Sequence, residues 1–210
     1  MMKLYFIVAL TLYPILCLGQ VRTSSLTLDQ LKSLSNKDVT DINSFLMDKG
    51  WEFEKALKED EETAPGIAGW FGARVFWSFR PNKYQSGVEA LLQIEYDESP
   101  NLNYDSGTNR KHFNYRVEYR CNAKVFMDLK KEVAAAGMKK YSSRISEYNN
   151  SITEDYVEGD TKLSVDFDKK QEDEIKRCAF RFRVTKDDNG QNLYTIISYD
   201  LGRYLSTGGF

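Results

Sequence analysis

The chain of 210 residues contains only one histidine, His112, and this scarcity excludes several kinds of site. Zinc sites with several histidines and HExxH proteases cannot be assembled within such a chain. A Ser-His-Asp triad would depend on His112 alone, and no Gly-x-Ser-x-Gly motif accompanies it. We therefore expect His112 to be an ordinary residue at the start of a strand, and we predict no metal, no cofactor and no catalytic residue.

Cysteine is almost as rare, with Cys17, Cys121 and Cys178 as its only copies. No Cys-x-x-Cys pair or neighbouring histidine is present to activate a thiol, so a catalytic cysteine is not expected. Strand alternation places Cys121 on a face with Tyr119, and Cys178 on a face with Phe180. We predict a disulfide between Cys121 and Cys178, with two buried thiols as the alternative.

Long apolar runs are lacking except at the beginning of the chain. Lys3 precedes an apolar segment at 4–16, and Cys17 and Gly19 are small enough for the −3 and −1 pockets of a signal peptidase. This order predicts a signal peptide over residues 1–19, cleaved after Gly19, and therefore a secreted or periplasmic protein. Lipidation at Cys17 is the alternative, although the large Leu16 disfavours it.

No later run approaches the ~20 apolar residues of a membrane helix, so we expect no transmembrane span in the mature chain. A basic excess is also lacking, because the net charge is −2 and the acidic and basic residues are interspersed. Nucleic-acid binding requires a cationic surface and is not expected.

Helical and alternating patterns occupy much of the remaining sequence. Apolar residues at helical spacing predict helices near 26–34, 36–50 and 123–136, the last two ending at Gly50 and Gly137. Alternation predicts a strand from Trp51, and Asn189-Gly190 predicts a hairpin turn. Further strands are predicted at 73–80, 88–96, 112–121, 139–147, 152–158, 162–168, 178–186 and 193–199.

The order of these elements predicts an α+β protein with two tandem copies of a helix packed on a four- to five-stranded antiparallel sheet. The first copy would span residues 20–121 and the second residues 122–210. This plan resembles the secreted β-lactamase inhibitor proteins and the small bacterial outer-membrane assembly lipoproteins. The resemblance implies that the chain binds another protein. It assigns no residue, because the Gly-Met helix-turn signature of those families is missing at 48–51 and 136–138.

The segment Gly69-Trp70-Phe71-Gly72 combines glycines with two large aromatic side chains between two predicted strands. If exposed, Trp70 and Phe71 would form an apolar knob suited to the groove of a partner. If folded back, they would cap the core. We list these four residues as the candidate partner-binding site.

Two functions from different classes follow. The first is an exported, non-enzymatic binding or envelope-assembly module that engages a protein or a cell-envelope component through 70–72 and an open sheet face. The alternative is a glycan-acting hydrolase that uses a carboxylate pair, Glu154 with Asp155 or Asp166 with Asp168. The first is preferred because the sequence lacks every motif with a defined mechanism.

Overall fold

The computed structural model describes residues 22–35, 37–58, 72–81, 87–97, 113–159 and 178–200. These residues form three helices, α1 (Leu28–Leu34), α2 (Val39–Asp48) and α3 (Ala123–Ala135). They also form eight strands: β1 (Glu52–Lys58), β2 (Gly72–Phe79), β3 (Ala90–Asp97), β4 (Phe113–Cys121), β5 (Lys139–Ile145), β6 (Ile152–Val157), β7 (Cys178–Lys186) and β8 (Asn192–Asp200). No helix among the described residues is both long and apolar enough to cross a membrane.

Short polar residues begin the helices and glycines follow two of them. The side chains of Thr27, Asp38 and Asn122 accept hydrogen bonds from backbone N–H groups of the first turns of α1, α2 and α3. Gly50 and Gly137 lie just beyond α2 and α3 with φ values of 84° and 73°, a region that favours glycine. The predicted ends of these two helices are confirmed.

The eight strands form one antiparallel sheet in the order β1-β2-β3-β4-β8-β7-β6-β5. Its halves join where β4 pairs with β8, and this pairing sets Val117 opposite Ser198 and Tyr119 opposite Ile196. The prediction of two tandem helix-on-sheet copies is therefore wrong. Alternation in a sequence shows that a strand exists and which residues share a face, but it does not show which distant strand becomes its neighbour.

All three helices pack on one face of this sheet and enclose the main core. Trp77 on β2 is fully buried and donates from its indole Nε1 to the Asn43 Oδ1 of α2 at 3.0 Å. Phe126 on α3 packs against Phe182 on β7, with ring centroids 5.3 Å apart. One continuous core therefore spans both halves of the chain.

Most of the predicted elements are present with small differences at their ends. The predicted Asn189-Gly190 hairpin is confirmed: Asp187 N donates to Gln191 O at 2.9 Å, and Gly190 has a φ of 77°. The strand predicted at 162–168 lies outside the described residues, as do residues 1–19 and His112.

Candidate binding face

The sheet face opposite the helices carries an array of arginines on its central and C-terminal strands. On β4, Val117 and Tyr119 face the core, so the intervening polar residues project to the other side. Polar residues alternate in the same way with Phe180 and Phe182 on β7. We call the polar residues of this side the arginine face: Arg116, Glu118, Arg120, Arg144, Thr153, Asp155, Arg181, Arg183 and Thr195. Val157, Ala179 and Ile197 on the same side are buried.

Glu118 lies among three arginines of this face. Its side chain is only 6% exposed, and its carboxylate lies 2.5 Å from Arg116 Nη2, 3.2 Å from Arg120 Nε and 3.8 Å from Arg183 Nη2. The buried Nε atoms of Arg116 and Arg183 have no hydrogen-bond partner among the described residues. Glu118 therefore contacts three guanidinium groups at once, and Arg116 Nη1 also lies 3.7 Å from Glu95 Oε1 on β3.

Asp155 forms the second acidic centre of the face and is fully buried. Arg181 binds both of its oxygens, with Nε at 2.8 Å from Oδ1 and Nη2 at 3.1 Å from Oδ2. Arg144 and the Ser142 hydroxyl also donate to Oδ2, at 3.3 Å and 2.9 Å. These contacts connect β5, β6 and β7 on the arginine face.

The described residues of the arginine face have a net positive charge, whereas the whole chain has a net negative charge. Among the described residues, its five arginines exceed the two carboxylates of Glu118 and Asp155 by three, and Glu95 lies at its edge, 3.7 Å from Arg116 Nη1. On the same side of β1–β3, the described charges balance at three of each sign: Lys55, Arg74 and Arg80 with Glu52, Glu54 and Glu95. The excess is therefore localised on a chain whose net charge is −2.

A small cavity of about 70 Å³ opens beside Arg120 and Glu118. Phe76, Leu91 and Leu92 also line it and give it a mainly apolar character, while Gln93 adds a polar group. It is far smaller than the ~300 Å³ or more of a typical site for a complete small-molecule ligand. It can therefore receive an edge of a ligand that lies on the face but cannot enclose a whole metabolite.

No family model matches the chain. Neither a curated protein nor a solved structure matches it significantly. The resemblance to β-lactamase inhibitor proteins and outer-membrane assembly lipoproteins thus gains no support, and the arginine face must be interpreted from its own geometry.

The predicted partner-binding segment falls almost wholly outside the described residues. Gly69, Trp70 and Phe71 lie outside the described residues. Gly72 is the first residue of β2 and pairs with Asp97 on β3. The assignment of these four residues to a binding site therefore stays a prediction.

The predicted disulfide is not formed: no bond joins Cys121 and Cys178. Cys121 pairs with Tyr194 and Cys178 pairs with Asp200, so they lie at opposite ends of β8. Six residues of strand separate these ends by about 20 Å, whereas a disulfide needs Cα atoms within ~7 Å. Burial raises the pKa of the Cys121 thiol to about 12, which keeps it protonated.

The described carboxylate pair, Glu154 with Asp155, does not form a catalytic pair. Adjacent residues of a strand point to opposite faces, and Glu154 lies on the helix side, where it binds Lys130 and Lys140. Burial raises the pKa of Glu154, but the hydrogen bonds from both lysines outweigh this effect and lower it overall. A carboxyl group that acts as a general acid at neutral pH needs a raised pKa, not a lowered one. Asp166 and Asp168 lie outside the described residues.

No group of three potential metal-ligating side chains converges within the described ranges.

The sequence carries one signal for the arginine face, because Arg181 and Arg183 alternate with phenylalanines on β7. This alternation predicts a cationic stripe that forms ion pairs with a stripe of Asp166 and Asp168 on another strand. In the structure, Arg181 binds Asp155 on β6, and Arg183 approaches Glu118 on β4. The pairing with Asp166 and Asp168 stays a prediction, because both residues lie outside the described ones.

Proposed function

We propose that this chain is an exported, non-enzymatic binding module that engages anionic groups of a protein or cell-envelope component through the arginine face. The observation that carries the proposal is that arginines exceed carboxylates by three among the described residues of this face. Among the described residues, the helices cover only the other side. Export rests on the signal peptide predicted at 1–19.

The chemistry of the face supports binding of an external anion. The side chains of Arg120, Arg144 and Arg183 are 50%, 39% and 33% exposed, so their guanidinium groups are accessible to a ligand. A guanidinium presents a planar fork of donors that matches a carboxylate, sulfate or phosphate group. A rigid sheet holds these groups at fixed spacing, which limits the entropy lost on binding.

The segment 69–72 adds to this proposal, although the proposal does not depend on it. Trp70 and Phe71 immediately precede β2 and supply an apolar contact if they are exposed. Gly72 begins the strand that holds Phe76, a lining residue of the cavity. The hydrolase alternative gains no support from Glu154 and Asp155, because these two carboxylates lie on opposite faces of the sheet.

Binding of fluorescein-labelled dextran sulfate to the purified protein, followed by fluorescence anisotropy, tests the proposal. The double variant Arg120→Gln/Arg183→Gln removes two exposed cations of the face. The matched control Lys124→Gln/Lys131→Gln removes two exposed cations of α3, on the other side of the sheet. Circular dichroism verifies that both variants keep the fold.

We expect saturable binding that weakens with added salt, because salt screens exposed charges. The arginine variant should bind at least about tenfold more weakly, equivalent to ~1.4 kcal/mol, and the lysine variant should bind like the parent. Absence of binding to the parent protein, or an equal loss in both variants, contradicts the proposal.

A further inference from the structure

The turn that joins β7 to β8 contains the single Asn-Gly pair of the chain, Asn189-Gly190. Both residues are exposed to solvent. The Gly190 backbone N donates to the Asp187 O at 3.0 Å, which closes a β-turn over residues 187–190. Gly190 has a φ of 77°, a backbone conformation that favours glycine, so the pair belongs to the design of the turn.

An asparagine that precedes a glycine holds both reactants of a ring closure. The backbone nitrogen of the following residue can attack the side-chain carbonyl carbon Cγ and close a five-membered ring. Glycine has no Cβ beside the attacking nitrogen and adopts the required backbone conformations readily, so it hinders this attack least. Asparagine is for such reasons one of the thermolabile residues of proteins.

We propose that Asn189 is a site of spontaneous deamidation and that the hydrogen bonds of Asp187 set its rate. A solvent base removes the proton of the Gly190 backbone N, and this nitrogen forms a bond to Asn189 Cγ. The bond from Cγ to Nδ2 then breaks, and Nδ2 leaves as ammonia after it gains a proton from solvent. Water opens the resulting succinimide at either carbonyl and leaves aspartate or isoaspartate at residue 189.

Asp187 holds the turn in a closed form that opposes this reaction. Its Oδ1 accepts hydrogen bonds from Asn189 N at 2.9 Å and from Gln191 N at 2.7 Å. Its backbone O accepts the bond from Gly190 N, the attacking nitrogen. The ring therefore closes from an opened turn, and the free energy of that local opening slows the reaction relative to an unfolded chain.

The other hairpin offers an internal reference, Asn150-Ser151, between β5 and β6. Asn150 is exposed, but Ser151 is only 8% exposed and its backbone N donates to Asn149 Oδ1 at 3.0 Å. Ser151 also has a side chain that crowds the attacking nitrogen. Asn150 should therefore react more slowly than Asn189 in the same sample.

The products change the charge and the length of the turn. Each adds one negative charge beside Asp187 and Asp188. Isoaspartate also inserts a methylene group into the backbone between β7 and β8, whereas aspartate keeps the original chain length. The reaction thus yields two more acidic forms of the protein that ion-exchange chromatography can separate.

The test follows the purified protein in mildly alkaline buffer by peptide mass mapping, with fragment spectra that locate each product. A synthetic peptide with the sequence of residues 185–193 serves as the unfolded reference. We expect product at Asn189 before any at Asn150, at a rate at least about fivefold below that of the peptide, because hydrogen bonds must break first.

Variants of Asp187 test the control of the rate. Asp187→Ala removes the acceptor of two hydrogen bonds and should deamidate at Asn189 at least about fivefold faster than the parent. Asp187→Asn keeps an acceptor oxygen and should react at nearly the parent rate. Circular dichroism verifies that both variants keep the fold, and Asn189→Gln, which would need a six-membered ring, should form no product.

Two sets of results would contradict the proposal. Product at Asn150 before Asn189, or none at Asn189 after about ten half-lives of the peptide, overturns the site. A parent rate equal to that of the peptide, or equal rates for the parent and Asp187→Ala, overturns the role of Asp187.

Discussion

Arg181 clamps the fully buried carboxylate of Asp155 from the neighbouring strand, with N–O distances of 2.8 Å and 3.1 Å. The two residues are direct register partners on β7 and β6. This two-point contact fixes both the position and the plane of the guanidinium. A buried charge is tolerated here because hydrogen-bond donors surround it, and the arginine face depends on that arrangement.

Asp155→Asn should lower the free energy of unfolding by about 3 kcal/mol, because it removes the buried charge that Arg181, Arg144 and the Ser142 hydroxyl bind. Urea denaturation measures the change. The matched control is Asp128→Asn, which breaks an exposed ion pair with Lys124 and Lys131 and should cost less than ~1 kcal/mol. Equal costs for the two variants would show that Asp155 has no special role.

Ile196→Ala tests whether the eight strands form one cooperative sheet. Ile196 on β8 is 1% exposed and lies opposite Tyr119, at the junction of the two halves. We expect a loss of about 2–5 kcal/mol from the cavity it creates. Trp51 and Trp77 lie in the other half of the chain, yet their fluorescence transition should shift together with the circular dichroism transition. An unchanged tryptophan transition contradicts a continuous sheet.

The sequence was informative about local structure because local structure depends on near neighbours. Apolar spacing located α2 and α3, and Gly50 and Gly137 marked their ends through the backbone conformation that glycine favours. The face of each strand also followed from alternation: Cys121 and Cys178 do lie on the core side. The distance between the two cysteines along β8 could not be predicted from the sequence, because it depends on the register between distant strands.

The arginine face was missed for the same reason. Arg120, Arg183 and Arg144 are scattered over three strands, and only the order β4-β8-β7-β6-β5 aligns them. The sequence showed the alternation of Arg181 and Arg183 with apolar residues but not the identity of their neighbours. A net charge of −2 for the chain also concealed a local positive excess.

Glu154→Gln should destabilise the protein in a pH-dependent way. The pKa of Glu154 is lowered from its ordinary value of 4.5, so its ionised form contributes stability above that value. This contribution is lost as the pH falls through the lowered pKa of the folded state. The difference in unfolding free energy between parent and variant should therefore be full at pH 7 and shrink in acid. A constant difference from pH 7 to pH 2 contradicts the ion pairs with Lys130 and Lys140.

Both Cys121 and Cys178 should be present as thiols in the purified protein. Alkylation with iodoacetamide in denaturant, without reductant, should label each of them, as read by peptide mass mapping. In the folded protein, Cys121 should react much more slowly, because burial raises its pKa to about 12 and little thiolate is present. A mapped disulfide between the two residues would contradict the register of β8.

The most direct test of the arginine face as the binding surface is an NMR titration that follows arginine Nε–Hε signals as a short dextran sulfate is added. We expect the signals of Arg120, Arg144 and Arg183 to move together and to saturate at one concentration, while those of Arg22 and Arg80 stay in place. Shifts confined to Arg22 and Arg80, or spread evenly over all arginines, would contradict it.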